Sequence, residues 1–122
     1  MRKTICFYGN CPARSRVTLV SKRIRYAYEL VGIAATFATG CNNELQLSFF
    51  VGADDSAPAS APAELSVLQE NGQVSYLVGE GETKWLEHGV VVSDIGSYLK
   101  VHAYNQDWYD HAVDVQITLE AK

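Results

Sequence analysis

Two segments near the C-terminal end of the chain alternate strictly between apolar and polar side chains, and this periodicity limits the fold more than any other feature. The segments are residues 98–105 and 112–120, separated by the loop 106–110. Their apolar positions are Leu99, Val101 and Ala103, then Val113, Val115, Ile117 and Leu119. A period of two over two runs is typical of β-strands with one buried face. We therefore predict an antiparallel hairpin at the centre of the fold.

Seven further stretches are rich in β-branched and aromatic residues and are bounded by turn residues. They are residues 4–8, 16–30, 33–39, 44–51, 65–70, 73–78 and 84–93. The dipeptide Asn71-Gly72 and the Gly/Asn-rich segment 40–43 each predict a hairpin turn. The Gly, Asn and Pro residues at 9–12 predict another turn, because each favours turn geometry.

The longest of these stretches, 16–30, changes phase at residues 21–23. Its apolar side chains occupy odd positions before this point and even positions after it. Such a slip predicts a bulge or a strand break that re-aims the buried face. A helix over 22–30 is the alternative, because Lys, Arg, Ala, Glu and Leu favour helices. The abundance of Val, Ile and Tyr favours the strand.

Eight or nine short strands with turn residues between them predict an all-β fold. The expected architecture is an antiparallel β-sandwich of jelly-roll or Greek-key type. A chain of 122 residues is expected to form a single domain, 1–122. Within it we expect residues 1–14 to be a basic N-terminal arm. Residues 52–63, rich in Ala, Pro and Ser, are expected to form an extended loop.

Charge is divided unevenly along the chain, whose overall formal charge is −4. Seven cations precede the first acidic residue, Glu29, whereas three lysines and fourteen acidic residues follow from there. The seven cations, a candidate electrostatic arm, are Arg2, Lys3, Arg14, Arg16, Lys22, Arg23 and Arg25. This division indicates a contact with an anionic partner, or between the basic part of one copy and the acidic part of the next. Few aromatic residues interleave with the cations, so we expect no direct nucleic-acid binding.

The three cysteines, Cys6, Cys11 and Cys41, are an odd number, which argues against an exported disulfide scaffold. We interpret them as reduced thiols, with a Cys6–Cys11 bridge as the alternative. Cysteines and histidines are not spaced as metal ligands, and no convergence of Cys41 with a histidine is predicted. No nucleophile elbow, phosphate-binding glycine loop or Ser-His-Asp arrangement occurs. We therefore expect no metal, no cofactor, no catalytic residues and no enzymatic activity.

A cluster of aromatic and polar side chains marks the predicted C-terminal hairpin as a candidate contact surface. Trp108 and Tyr109 lie in its loop between two acidic residues, beside the polar positions of the preceding strand. The candidate surface comprises Tyr98, Lys100, His102, Tyr104, Trp108 and Tyr109. Flat aromatic faces next to hydrogen-bonding groups suit a sugar, and the same residue types suit a protein interface. The alternative is that Trp108 folds back and caps the open end of the sandwich.

The alternation over 98–105, followed by the one over 113–117, resembles the closing hairpin of small β-sandwich coat, decoration and tail proteins of viruses. The resemblance implies a structural subunit that packs through contacts with copies of itself or with other particle subunits. The charge division, the 52–63 loop and the lack of a catalytic arrangement favour the same role. The alternative is a carbohydrate-binding module that uses the exposed aromatic loop.

The N-terminal segment starts with basic residues but has no apolar core region, so no signal peptide is expected. No apolar run approaches the length of about 18 residues that a membrane helix needs, and no membrane partner is expected. We expect synthesis in the cytoplasm followed by incorporation into a virion.

Overall fold

The computed structural model describes residues 2–57, 65–70, 75–93 and 95–122, and these form an all-β structure with eight strands and one helical turn. The strands are β1 (Arg2–Cys11), β2 (Arg16–Val20), β3 (Tyr28–Phe37), β4 (Leu45–Gly52), β5 (Leu65–Ser66), β6 (Glu82–Val92), β7 (Tyr98–Asn105) and β8 (His111–Ala121). The helical turn, α1 (Val67–Glu70), follows β5. No helix of the described residues is long and apolar enough to cross a membrane.

Eight strands form two four-stranded sheets whose neighbouring strands all run antiparallel. Sheet I has the order β1-β8-β3-β6, and sheet II has the order β2-β7-β4-β5. Consecutive strands alternate between the sheets, except that β5 stays beside β4. This order is the jelly-roll arrangement of two interlocked Greek keys. The predicted all-β antiparallel sandwich is therefore confirmed.

The predicted C-terminal hairpin is wrong, because β7 and β8 lie in different sheets. β7 pairs with β2 and β4, whereas β8 pairs with β1 and β3. The hairpin predicted around residues 40–43 is wrong for the same reason, since β3 and β4 also belong to opposite sheets. Periodicity identifies a strand and its buried face, but a short loop between two strands can turn within one sheet or cross to the facing one.

Several predicted bounds also differ from the structure. The turn predicted at 9–12 is wrong for residues 9–11, because these residues continue β1. The expected N-terminal arm, residues 1–14, contains all of β1, which pairs with β8 in sheet I. The phase change at 21–23 marks a strand break, where the chain leaves β2 in sheet II and enters β3 in sheet I, with no helix. Residues 65–70 form only a two-residue strand before the helical turn. The Asn71-Gly72 turn lies outside the described residues.

The core is the space between the two sheets, and the two C-terminal strands face each other across it. All apolar positions predicted for this face are fully buried: Leu99, Val101, Ala103, Val113, Val115, Ile117 and Leu119. Each strand is central in its own sheet, so its backbone is hydrogen-bonded on both sides. Burying a Val, Leu or Ile side chain contributes about 1.5–3 kcal/mol, which makes this layer a main source of stability.

We expect Val115→Asp to abolish folding, whereas Gln116→Asp on the opposite face of β8 should be tolerated. Val115 is fully buried and Gln116 is exposed. An unpaired carboxylate in the core costs more than about 4 kcal/mol, but a surface change usually stays within about 0.5 kcal/mol. Thermal melts followed by circular dichroism measure both. A cooperative Val115→Asp melt near that of the unchanged protein would contradict the buried face assigned to β8.

Candidate contact surfaces

The polar row of β7 lies on the outer side of sheet II, but its middle is covered. The prediction of an exposed row is wrong for Lys100 and His102, whose side chains are buried. Tyr98 and Tyr104, at the two ends of the row, stay partly exposed. Alternation predicted that these residues point away from the core, and it could not show what lies over that face.

His102 is held by its neighbours on β2. The Thr18 hydroxyl lies 2.8 Å from His102 Nδ1, and Arg16 Nη1 lies 3.4 Å from His102 Nε2. Burial lowers the pKa of His102, and the nearby Arg16 guanidinium lowers it further. The imidazole is therefore neutral at pH 7, and it is engaged within the protein rather than offered to a ligand.

The residues that follow β4 cover Lys100. Lys100 Nζ lies 3.4 Å from Asp54 Oδ1 and donates to Ser56 Oγ at 3.2 Å. Hydrogen bonds from the Ser56 hydroxyl and backbone N–H hold the pKa of Asp54 below its usual range, and the Lys100 ammonium adds to this effect. The first part of the expected 52–63 loop is thus folded onto sheet II; residues 58–63 lie outside the described part.

The loop between β7 and β8 presents two aromatic side chains to solvent. Trp108 is 75% exposed and Tyr109 is 74% exposed, so the alternative that Trp108 caps the core is wrong. The Arg14 guanidinium lies 4.7 Å from the centre of the Trp108 ring, and that of Arg16 lies 3.8 Å from the Tyr104 ring centre. Cation–π contacts of this kind hold a ring in place without burying it. The structure therefore joins two predicted arm residues to the predicted aromatic surface.

The position of the loop is fixed by hydrogen bonds that cross from the β1–β2 connection. Arg14 Nη1 donates to the Gln106 carbonyl at 2.7 Å, and the Arg14 N–H donates to the Asp107 carbonyl at 2.9 Å. Asn105 is buried at the base, where its Nδ2 donates to the Tyr109 carbonyl at 2.7 Å and to the Cys11 carbonyl at 3.1 Å. The two aromatic rings therefore project from an anchored loop.

A chain of three side chains below this loop was not predicted from the sequence. His111 Nε2 lies 2.9 Å from Asp107 Oδ2, and His111 Nδ1 lies 3.8 Å from Cys41 Sγ. The order Cys–His–Asp resembles that of a nucleophilic triad. Cys41 is fully buried, and burial raises the pKa of its thiol, so the thiolate that a nucleophile requires is disfavoured. Among the described residues, no three or more His, Cys, Asp or Glu side chains are grouped to hold a metal.

The turn that carries Cys41 is shaped by glycine and asparagine. Gly40, Asn42 and Asn43 have φ values of 103°, 50° and 59°, which are left-handed conformations that Gly and Asn tolerate. The Glu80 carboxylate accepts the N–H groups of Gly40 at 2.9 Å and of Asn42 at 2.7 Å, and these bonds lower the pKa of Glu80. The thiol is therefore placed against His111 by local backbone geometry that the Gly/Asn pattern signalled only as a turn.

The other two cysteines lie far apart on one extended strand. Cys6 is exposed, whereas Cys11 is buried and its thiol donates to the Ser15 carbonyl at 3.4 Å. Five residues of strand span about 16 Å, well beyond the Cα separation of about 7 Å that a disulfide allows. The alternative of a Cys6–Cys11 bridge is wrong, and all three cysteines are free thiols.

A basic cleft opens between β1 and the connection from β2 to β3. Its volume is about 420 Å³. Apolar side chains, among them Ile5, Phe7 and Ile24, contribute to its lining, together with three predicted arm residues, which are Lys3, Lys22 and Arg23. The Arg23 guanidinium packs on Gly96, where a Cβ atom would lie 2.7 Å from Arg23 Nε. Within the described part of the chain, no carboxylate lies within ion-pair distance of these three cations.

Two exposed aromatic residues on edge strands were not among the contact residues predicted from the sequence. Tyr8 on β1 is 77% exposed and Trp85 on β6 is 76% exposed. Each shares its strand parity with exposed polar residues, Thr4 for Tyr8 and Glu87 for Trp85. An aromatic residue on the polar parity of a strand was therefore the available signal.

Comparison with known proteins finds the fold but no family. No family model matches the chain, and no curated protein matches it. The VP2 subviral particle of infectious bursal disease virus matches with 9% identity and a TM-score of 0.53, over 99% of this chain and 33% of that chain. The Gx strain of the same virus matches with 12% identity and a TM-score of 0.48, over 99% and 32%. A family two carbohydrate esterase from Cellvibrio japonicus matches with 8% identity and a TM-score of 0.42, over 100% and 35%.

At the level of the fold, this chain resembles a β-sandwich protein of a virion, as the sequence predicted. The chain spans about a third of the length of the proteins it matches. Sequence identities this low indicate a shared fold and say nothing about a reaction or a partner.

We expect Asp107→Asn to lower the melting temperature at neutral pH and to lose this effect in acid. The hydrogen bond to His111, followed by that to the Trp108 N–H, holds the pKa of Asp107 below its usual value. A depressed folded-state pKa adds stability above the unfolded-state value of about 4, and this stability is lost as the pH falls through the folded-state pKa.

Melting temperatures measured from pH 7 to pH 2 test this expectation. The difference between Asp107→Asn and the unchanged protein should be constant at neutral pH and should narrow below about pH 4. The double variant Asp107→Asn/His111→Gln should melt at nearly the same temperature as Asp107→Asn alone, because both substitutions break the same hydrogen bond. A difference in melting temperature that stays the same in acid would contradict the lowered pKa of Asp107.

Proposed function

We propose that this protein is a structural subunit of a larger particle, of the kind formed by virion coat, decoration or tail proteins. It would pack through contacts with copies of itself or with other subunits. One observation carries the proposal: the cations that precede Glu29 gather along one side of the sandwich, and the exposed carboxylates of Glu82 and Glu87 lie on the edge strand at the other. The fold-level resemblance to a capsid protein supports the same role.

The charge asymmetry follows from how the chain winds. β1 and β2 are edge strands of the two sheets and are joined in sequence, so both lie on one side, with the basic cleft between them. β6 and β5 are the edge strands of sheets I and II on the opposite side of the sandwich. The cations of the first 25 residues therefore gather on the first side, whereas Glu82 and Glu87 of β6 lie on the second.

A side rich in cations and an opposite edge with exposed carboxylates favour head-to-tail association. Contact between like sides would bring the cleft cations, or the β6 carboxylates, against one another. A contact between unlike sides joins different surfaces and leaves both a free basic side and a free acidic side, so it builds rings or extended rows. Such growth suits a particle subunit better than a closed dimer does.

A non-enzymatic role is supported by the state of the best candidate nucleophile. The Cys41 thiol has the histidine and carboxylate that catalysis uses, but it is sealed in the core and its pKa is raised. His102 is likewise buried and engaged.

We expect the purified protein to form large species whose mass falls as salt is added. Raising the salt concentration from about 0.01 M to about 1 M shortens the Debye length from about 30 Å to about 3 Å, which screens contacts between exposed charges. Light scattering coupled to size exclusion measures the mass. A monomer at high concentration and low salt would refute the proposed function.

A matched pair of charge reversals locates the effect. Lys22→Glu, on the basic side, should weaken association. Lys84→Glu makes the same change of charge on β6 and should leave association intact or strengthen it. Equal weakening by both variants would show that net charge, rather than the two-sided arrangement, controls the assembly.

The second candidate function is carbohydrate binding, favoured by the anchored and exposed rings of Trp108 and Tyr109. A sugar that stacks on Trp108 should shift the tryptophan fluorescence of a monomeric protein, and Trp108→Ala should abolish the shift. Trp85→Ala removes the other exposed tryptophan, and the fluorescence shift should persist in this variant. If no glycan of a panel shifts the tryptophan fluorescence of the unchanged protein or of Trp85→Ala, carbohydrate binding is excluded.

A further inference from the structure

Sheet I has two long edges to which none of the described strands is paired. β1 offers ten residues at one edge and β6 offers eleven at the other, of which residues 82–87 lie before a register shift against β3. In the part of the chain that the structure describes, the backbone hydrogen bonds outside the strand ladders include none from either strand. A row of free N–H and C=O groups of this length is a template for another strand. In sheet II, by contrast, the edge strands have only five and two residues.

The register across sheet I shows what the two edges present on the outer face. Cys6 pairs with Gln116, Gln116 pairs with Ala34, and Ala34 pairs with Trp85, so these four residues form one row. Tyr8 begins the next row, which ends at Thr83 through Asp114 and Thr36. Tyr8 and Trp85, each about three-quarters exposed, thus stand on the same face at opposite edges.

The charges of the two edges are complementary as well. β1 begins with the exposed residues Arg2, which is ion-paired with Glu120 of β8 at 3.1 Å, and Lys3. β6 carries the exposed carboxylates of Glu82 and Glu87, with Lys84 between them. An antiparallel pairing of β1 with the β1 of another copy would give its cations no carboxylate to face, because β1 contains none, and a full-length antiparallel pairing of two β6 strands, centred on Glu87, would oppose two carboxylates. Like charges placed opposite each other destabilise a strand pair.

We propose that the β6 edge of one copy pairs with the β1 edge of the next, so that sheet I continues from copy to copy. Successive strands of sheet I alternate in direction, so β1 and β6 run antiparallel and the continued sheet stays antiparallel throughout. Where the rows run straight across the contact, Trp85 lies beside Cys6 of the next copy and diagonal to its Tyr8. Aromatic side chains reach such diagonal neighbours.

This inference rests on the proposed assembly function and names its contact. The outer face of sheet I would become continuous, with one Tyr–Trp pair at each junction. Glu87, which lies in the row of Thr4, becomes a diagonal neighbour of Arg2 of the next copy. The contact joins unlike edges, so it requires no two-fold axis.

Site-directed crosslinking tests the pairing, because Cys6 is exposed and the other two thiols are buried. Unchanged protein, with its thiol on β1, is mixed with the variant Cys6→Ser/Thr83→Cys, whose accessible thiol is on β6. A short bifunctional maleimide should join the two species in preference to either with itself. The control is Cys6→Ser/Ala112→Cys, which places the thiol on the same face but on the central strand β8.

Each outcome of the crosslinking decides a specific point. Joining of unlike species with Thr83→Cys, but not with Ala112→Cys, supports the pairing. Predominant joining of like species would overturn it in favour of a two-fold contact. Large species by light scattering without preferential joining would overturn this contact and leave the assembly function standing. Monomers under all conditions would refute both.

Aromatic substitutions give a second readout that does not depend on added thiols. Tyr8→Ala and Trp85→Ala should each weaken association by about tenfold, since both rings are exposed in the single copy and stack only at the junction. The double variant should be weakened by less than the product of the two single effects, because the two rings contact each other. Unchanged melting temperatures at concentrations where the protein is monomeric would show that the fold is intact. Multiplicative effects would contradict a direct Tyr8–Trp85 contact.

Discussion

The packing of β7 against β8 across the core is the interaction on which the rest of the structure depends. Their inward side chains are fully buried, and each strand is bonded on both sides within its own sheet. Because β7 and β8 are inner strands of facing sheets, the other six strands pack beside them in the two sheets. The earliest strands, β1 and β2, join β8 and β7 at one side, and β6 and β5 become the outermost strands at the other.

This winding gathers the cations of the first 25 residues along one side of the molecule. The same winding brings the β1–β2 connection next to the β7–β8 loop, where Arg14 supports Trp108. Both sets of residues selected from the sequence, the cations and the aromatic loop, therefore depend on strand order for their neighbours. The asymmetry and the unpaired edges of sheet I supply the reason to propose an assembling subunit.

Polar residues inside this sandwich show how burial changes their role. Lys100 and His102 would be accessible groups on a bare sheet, but the residues after β4 and the β2 side chains convert them into buried partners. Cys41, His111 and Asp107 have the composition of a catalytic triad, but the Cys41 thiol is buried, and the contacts among the three residues connect two loops. Residue type alone would assign each of these groups a different function.

The sequence by itself determined the all-β class, the positions and inward faces of β7 and β8, and the break at 21–23, because hydrophobic periodicity and turn chemistry are local. It could not decide that β7 and β8 part into two sheets, that Lys100 is covered, or that Cys41 meets His111. Those outcomes depend on contacts between residues distant in the chain. Only the tertiary structure placed Tyr8 and Trp85 on the same face at opposite edges, because strand order is set by how both sheets bury one common core.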